Sequence, residues 1–182
     1  MKFENLAGLF NCASSNRGII RLNLDEAALL WRGVQKADSI VGPILEVGRR
    51  FGGSTQLIAA ASREGVKDII SVDLKMEVHE KVRKYLLLND RVELRVGSSF
   101  APIDRDWSFI FIDGDHSYEG ASTDMKIHVP RLVPGGYLAV HDAVEGAYGC
   151  CPGVAQACKE LEQTGTVEKI EVAESMILYK KR

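Results

Sequence analysis

Two short runs carry most of the residues with acid–base capability. Asp113, Asp115 and His116 fall within four positions of one another in Phe-Ile-Asp-Gly-Asp-His-Ser-Tyr-Glu-Gly (111–120), and His141-Asp142 form a second pair. Imidazoles with an ordinary pKa of about 6.5 can accept a proton at neutral pH, and neighbouring carboxylates can orient them or hold a cation. A third stretch, Ile-Leu-Glu-Val-Gly-Arg-Arg-Phe-Gly-Gly-Ser-Thr (44–55), brings Glu46, Gly48, Gly52, Gly53 and Ser54 together at a bend between an apolar run and a helix. Its glycines permit positive φ and close backbone approach, and a helix opening at Ser54 aims amide donors at a ligand that accepts hydrogen bonds. Asp73 stands about twenty residues beyond the last glycine, where folds of this kind place an acid on ribose hydroxyls. Bend and acid together point to a nucleoside.

The elements that must position these residues alternate strand and helix. An amphipathic helix from Asn23 to near Asp38 carries Ala27, Leu30, Trp31 and Val34 at helical spacing, with Asp25 and Glu26 in its first turn. After the strand at 44–47 come a helix over residues 54–63 closed by Gly65, a strand at 68–72 ending in Asp73, a helix at 78–88 and a strand at 92–96 followed by Gly97-Ser98-Ser99. The strand at 107–112 ends in Asp113. A helix over 118–132 is interrupted by Pro130, and Pro134-Gly135-Gly136 reads as the turn into a strand at 137–140. Pro152 and Gly153 precede a helix through Leu161 closed by Gly165. The runs at 167–172 and 176–179 are too close in sequence for a parallel crossover and form an antiparallel hairpin. The fold class is therefore α/β, a Rossmann-like, seven-stranded, mostly parallel doubly wound sheet with a C-terminal antiparallel hairpin at one edge. Ligands bind such sheets at the carboxyl ends of the strands, and five consecutive strand ends here carry polar, turn-forming residues.

Length and composition bound the rest. A chain of 182 residues, 46% apolar, buries one sizeable core, so residues 23–182 read as a single domain preceded by a flap or linker over residues 1–22, where Asn11, Ser14, Ser15, Asn16 and Gly18 mark loop. The 23 basic and 25 acidic residues are scattered, which argues against nucleic acid or a membrane surface as partner. No apolar run is long enough to span a bilayer and no signal-peptide pattern opens the chain, so the expected location is cytoplasmic. Cys12, Cys150, Cys151 and Cys158 have no paired spacing, against a zinc site or a secreted disulfide framework. His79 and His128 fall on helices away from the strand ends and are expected to take no part in the site.

The glycine spacing is Gly-x-x-x-Gly-Gly rather than Gly-x-Gly-x-x-Gly, so the pyrophosphate cradle of dinucleotide enzymes is absent. With Asp73, Gly97-Ser98 and the hairpin, the chain from about residue 23 onward resembles the class I S-adenosylmethionine-dependent methyltransferases. The run at 111–120, followed by Leu-Val-Pro-Gly-Gly (132–136) and His141-Asp142, is similar to the methyltransferase 24 family of small-molecule and sugar O-methyltransferases that includes macrocin O-methyltransferase. The resemblance implies that Glu46, Gly48 and Ser54 hold the methionine part of S-adenosylmethionine, with Gly52 and Gly53 shaping the bend. It places Asp73 on the ribose, Ser98 beside the adenine, and Asp113 near both cofactor and acceptor. It also implies that Asp113 and Asp142 hold magnesium or another divalent cation, although His141 departs from an all-oxygen ligand set. Arg49 and Arg50 replace the small or apolar residues usual at the bend, and at least one is expected to point outward.

The expected reaction is methyl transfer to a hydroxyl of a small molecule or sugar, with Asp113, His116 and His141 as the catalytic groups and either histidine as general base. A nucleoside-binding protein without catalysis, a nicotinamide-dependent oxidoreductase and a metal hydrolase built on the Asp-His cluster are the alternatives. A homodimer would close the site from outside; within the chain only residues 1–38 and the loop after Asp142 can do so.

Overall fold

The four residues of β1 (Ile44–Val47) are all buried, and so are the six of β4 (Trp107–Ile112), because helices cover both faces of the sheet they centre. The computed structural model describes residues 10, 18–62, 67–101, 103–147 and 150–182. The loop marks at residues 11–16, the Cys12 thiol and the closure of the second helix at Gly65 lie outside these. In chain order the other elements are α1 (Leu24–Ala37), α2 (Gly53–Ala61), β2 (Ile69–Asp73), α3 (Glu80–Leu88), β3 (Val92–Val96), α4 (Tyr118–His128), a 3₁₀ turn (Val129–Arg131), β5 (Leu132–Val140), α5 (Pro152–Gln163), β6 (Val167–Ala173) and β7 (Met176–Lys181). The sheet order is β3-β2-β1-β4-β5-β7-β6, with the first five strands parallel and β7 antiparallel to both β5 and β6. The chain winds outward from β1 to β3 and then returns to β4, so the crevice between β1 and β4 is the switch point.

Alternation along the central strands builds two cores. Ile44, Phe109 and Phe111 face α1, α2 and α3, whereas Leu45, Val47, Ile110 and Ile112 face α4 and α5. Each phenylalanine buried in this way contributes about 1.5–3 kcal/mol. The same alternation turns Glu46 to the face of Ile44, toward α2. Among the described residues no helix is long and apolar enough to cross a membrane.

Three boundaries differ from expectation. Pro130 ends α4 in a 3₁₀ turn, so Leu132 opens β5 instead of closing the helix. Leu132 pairs with Trp107 and Tyr137 with Phe109, so Pro134-Gly135-Gly136 is an irregularity within β5, with Gly135 at φ 79°, rather than a turn before it. Pro152 and Gly153 lie inside α5, Pro152 occupying the first turn where its missing N–H costs nothing. A Cβ on Gly153 would stand 2.4 Å from the Tyr118 nitrogen, which is how closely α5 approaches α4.

Candidate active site

The carboxyl ends of β1 to β5 open into one cavity of about 590 Å³. Gly48, Ser54, Asp73, Ser98, Asp113, His116, His141 and Asp142 all line it, and Ile20 and Arg21 from the segment before α1 close one side. Glu46, Gly52 and Gly53 do not line it.

The glycines of the bend serve chain-to-chain contacts. A Cβ on Gly48 (φ 87°) would fall 2.0 Å from the Asp113 carbonyl oxygen, so this residue lets β1 exit against the end of β4. A Cβ on Gly53 would fall 2.4 Å from Ile20 Cα, so the segment at 18–22 can lie on α2 only because position 53 is bare. No side chain caps α2, whose N-cap is Gly52 at φ 82°.

Glu46 is fully buried beneath this wall. It accepts the hydroxyls of Ser54 (2.6 Å), Thr55 (2.5 Å) and Ser71 (2.6 Å), which occupy three of a carboxylate's roughly four lone-pair positions. Burial raises its pKa against the pull of those hydroxyls and of Arg49. The carboxylate ties β1 to β2 and to the first turn of α2, and Ser54 is the member of that set on the cavity wall.

Arg49 is 2% exposed, and its guanidinium donates to the carbonyls of Ser71 (2.7 Å), Lys75 (3.0 Å) and Arg95 (3.2 Å), clamping the ends of β2 and β3. Burial lowers its pKa, offset by Glu46 and Asp73. Arg50 is exposed at the edge of the cavity, with its guanidinium carbon 5.1 Å from the Phe51 ring centroid. The Asp73 carboxylate accepts the amides of Arg49 and Arg50 (both 2.8 Å) and of Lys75 (3.0 Å). Burial alone would raise its pKa, but these three amides hold it below the usual carboxylate range. Ser98 accepts the Phe100 amide at 3.2 Å. His79 caps α3, accepting the Lys81 amide, whereas His128 reaches the loop after β3 and meets the Ser99 carbonyl at 2.9 Å.

The acid–base residues converge. His141 is 3% exposed, and its Nδ1 lies 3.0 Å from Asp113 Oδ1 and 3.4 Å from Asp142 Oδ1. Its Nε2 lies 3.3 Å from Glu26 Oε2. His116 is half-exposed, with Nε2 3.4 Å from Asp113 and 3.3 Å from Asp142. Asp115 also lines the cavity, and its carboxylate accepts the Ser117 amide at the start of α4. Asp142 adopts φ 55°, an uncommon conformation for a non-glycine residue. Its carbonyl accepts the Cys151 amide and its carboxylate accepts the Ser175 hydroxyl, so the surrounding chain sustains it.

Glu26 and Ser175 belong to the site although sequence reasoning does not single them out. Glu26 Oε1 accepts the Ser175 hydroxyl at 2.6 Å and its amide at 3.2 Å, while Oε2 accepts the Asn23 amide at 2.9 Å as half of a capping box. The capping box hides the contact with His141, because in sequence Glu26 looks like an ordinary first-turn acid. The available signal is its neighbourhood, an acid adjoining Ala27 and one turn before Leu30 on the apolar stripe.

Burial would lower the His141 pKa, but Asp113, Glu26 and Asp142 outweigh it and raise it to about 10. Burial would raise Asp113 and Glu26, yet the histidines bring Asp113 down to about 2, and His141, Ser175 and Asn23 bring Glu26 down to about 2. Asp142 stays above its ordinary value, burial being the largest cause. His116 is raised, chiefly by its contact with Asp113. The two histidines that could serve as general base thus differ in setting: His141 is buried among carboxylates that favour its protonated form, whereas His116 is half-exposed.

A family sequence pattern described as a methyltransferase domain, methyltransferase 24, matches residues 45–143, more than half of the chain and every strand end of the cavity. The chain belongs to the methyltransferase 24 family. It is an S-adenosylmethionine-dependent methyltransferase. Solved structures share the fold of this methyltransferase. The O-methyltransferase NovP superposes with a TM-score of 0.71 at 18% identity, covering 91% of this chain and 83% of NovP. An O-methyltransferase from Bacillus cereus in complex with S-adenosylhomocysteine gives 0.72 at 18% identity, over 100% of this chain and 92% of that one. The S-adenosylhomocysteine-bound methyltransferase PaMTH1 of Podospora anserina gives 0.65 at 14% identity, over 88% and 89%. No curated protein sequence matches this methyltransferase.

Proposed function

We propose that this methyltransferase acts on a hydroxyl oxygen of a small molecule or sugar. The observation that carries the reading is the junction of two kinds of residue in one cavity: Ser54, Asp73 and Ser98 on one wall, and Asp113, His116, His141 and Asp142 on the other. The similar folds titled O-methyltransferases support the choice of oxygen, and the balanced, scattered charge supports a small acceptor over nucleic acid. We place the protein in the cytoplasm.

S-adenosylmethionine, when bound, supplies the methyl electrophile. The cavity fits it: the uncapped first turn of α2 and Ser54 suit the methionine carboxylate, and Gly48 keeps the wall clear of a side chain. Asp73 keeps one lone-pair position for a ribose hydroxyl, and Ser98 lies on the adenine side. Glu46 positions Ser54 from below. Ile20 and Arg21, from the segment just before α1, reach the cavity. Asp113 and Asp142 fit a divalent cation, which would act as a Lewis acid toward the acceptor hydroxyl. His116 takes the hydroxyl proton in its neutral form, on the ring nitrogen that Asp113 and Asp142 do not engage, while those carboxylates orient the ring through Nε2. The rate is therefore expected to rise with pH through a value above the ordinary histidine range.

The test is turnover of S-adenosylmethionine with a panel of hydroxyl-bearing small molecules and sugars, read by mass spectrometry. A product heavier by one methyl group, with the pH dependence lost in His116→Asn, is the expected result. Methylation at nitrogen or sulfur only, or a His116→Asn profile like that of the parent, would overturn it.

A further inference from the structure

We infer, building on the methyl-transfer reading, that the Asp113–His141–Asp142 cluster binds a first-row transition-metal dication in preference to magnesium. Three observations lead there. The His141 ring is buried between carboxylates: Glu26 stands 3.3 Å from Nε2, an ion-pair contact, and Nδ1 lies within hydrogen-bond distance of Asp113 Oδ1, at 3.0 Å. Nδ1 is thereby aimed between Asp113 and Asp142, the carboxylate–imidazole arrangement that orients a metal-ligating histidine. The second observation is charge. Three carboxylates, at 1% (Glu26), 18% (Asp113) and 9% (Asp142) side-chain exposure, face two imidazoles, so in their ionised forms they outnumber the positive charge that both rings could supply.

The third is the donor set. The separations from Nδ1 to the two carboxylates, 3.0 and 3.4 Å, fall in the range of about 2.8–3.8 Å spanned by the edges of an octahedron or tetrahedron with bonds of about 2.0–2.3 Å. A second set, His116, Asp142 and Cys151, shares Asp142 with the first. Beyond the two carboxylates, the donors in these sets are two imidazoles and a thiol. Magnesium prefers oxygen and keeps its waters, whereas imidazole and sulfur suit later, softer ions. In sequence His141 looks like a flaw in a magnesium site; with Glu26 behind it, it is the ligand that changes the ion.

Cobalt(II) chloride titrated into the full chain, stripped of metal with a chelator, reads the site through visible d–d absorption, independent of activity. The expected result is saturation at one equivalent, retained in about a hundredfold excess of magnesium chloride. Glu26→Gln, which leaves every ligand in place, is expected to weaken cobalt binding by roughly 10- to 100-fold. His141→Asp is expected to bring the cobalt and magnesium affinities together by at least about tenfold. Absence of the bands, displacement of cobalt by equal magnesium, or an unchanged preference in a folded His141→Asp protein would overturn the inference. Calorimetry with S-adenosylhomocysteine on the same samples separates the two readings. Binding heat without cobalt bands defeats only the metal assignment, and cobalt bands without binding heat support the metal site while defeating the methyl-donor reading.

Discussion

Replacing Glu26 with Gln removes one charge from the buried cluster while keeping its shape. At 3.3 Å and an effective dielectric constant of about 20, the gross attraction between Glu26 and protonated His141 is about 5 kcal/mol. Truncating one member of a buried pair typically costs about 3–5 kcal/mol. His141 keeps Asp113 and Asp142 as partners, so the loss falls near the low end, about 3 kcal/mol. The amide oxygen can still accept both Ser175 donors, which leaves the amide nitrogen facing the Asn23 amide, and the lost capping bond adds about 1 kcal/mol. The expected total is about 3–4 kcal/mol, or a midpoint lower by roughly 6–16 °C in a chain of this size. Urea denaturation of the metal-free protein near pH 6 (about half a unit below an ordinary histidine pKa), followed by two probes, measures it. A cycle with His141→Gln isolates the pair. A loss under about 1 kcal/mol, or additivity of the two substitutions within about 0.5 kcal/mol, would refute the placement of Glu26 against His141.

The same cluster sets a pH window for the metal-free protein. The raised His141 pKa stabilises fully below its ordinary 6.5 and loses that contribution as pH climbs toward about 10, whereas the lowered Asp113 and Glu26 stabilise above 3.8 and 4.5 and lose it as pH falls toward about 2. The midpoint measured against pH is expected to plateau between those limits and to decline on both sides, with the alkaline decline shallower in His141→Gln; equal alkaline slopes would count against it. Gly53→Ala forces the Ile20 backbone to move, costing about 1–3 kcal/mol and weakening S-adenosylhomocysteine binding because Ile20 lines the cavity; calorimetry showing parental affinity would contradict that packing. Arg49→Met strips the donor from the Ser71, Lys75 and Arg95 carbonyls and is expected to lose more than about 3 kcal/mol by denaturation, a change within about 0.5 kcal/mol being the contrary result.

The fold is legible because each central strand announces itself twice, as an apolar run and as a polar or turn-forming residue at its carboxyl end. Val47 is followed by Gly48, Val72 by Asp73, Ile112 by Asp113 and Val140 by His141, so the strand ends and the cavity wall come from one pattern. Tertiary contacts decide the rest. Ser175 meets Glu26 across 149 positions, a distance no local spacing encodes. Arg49 is inward because three carbonyls at the ends of β2 and β3 await a donor, a demand visible only once those strands are side by side. His141 departs from an ordinary histidine because α1, β4 and the end of β5 each bring it a carboxylate. The boundary of α4 escapes the sequence for a smaller reason: Leu132 suits either helix or strand, and its pairing with Trp107 chooses strand.

Most central is that the cavity at the carboxyl ends of β1 to β5 holds the methyl donor. Titration calorimetry with S-adenosylhomocysteine and, separately, with NAD tests this most directly. The expected result is saturable one-to-one binding of S-adenosylhomocysteine, weakened in Asp73→Ala and Gly48→Ala, and no comparable heat with NAD. Tight binding of NAD with no response to S-adenosylhomocysteine would contradict it.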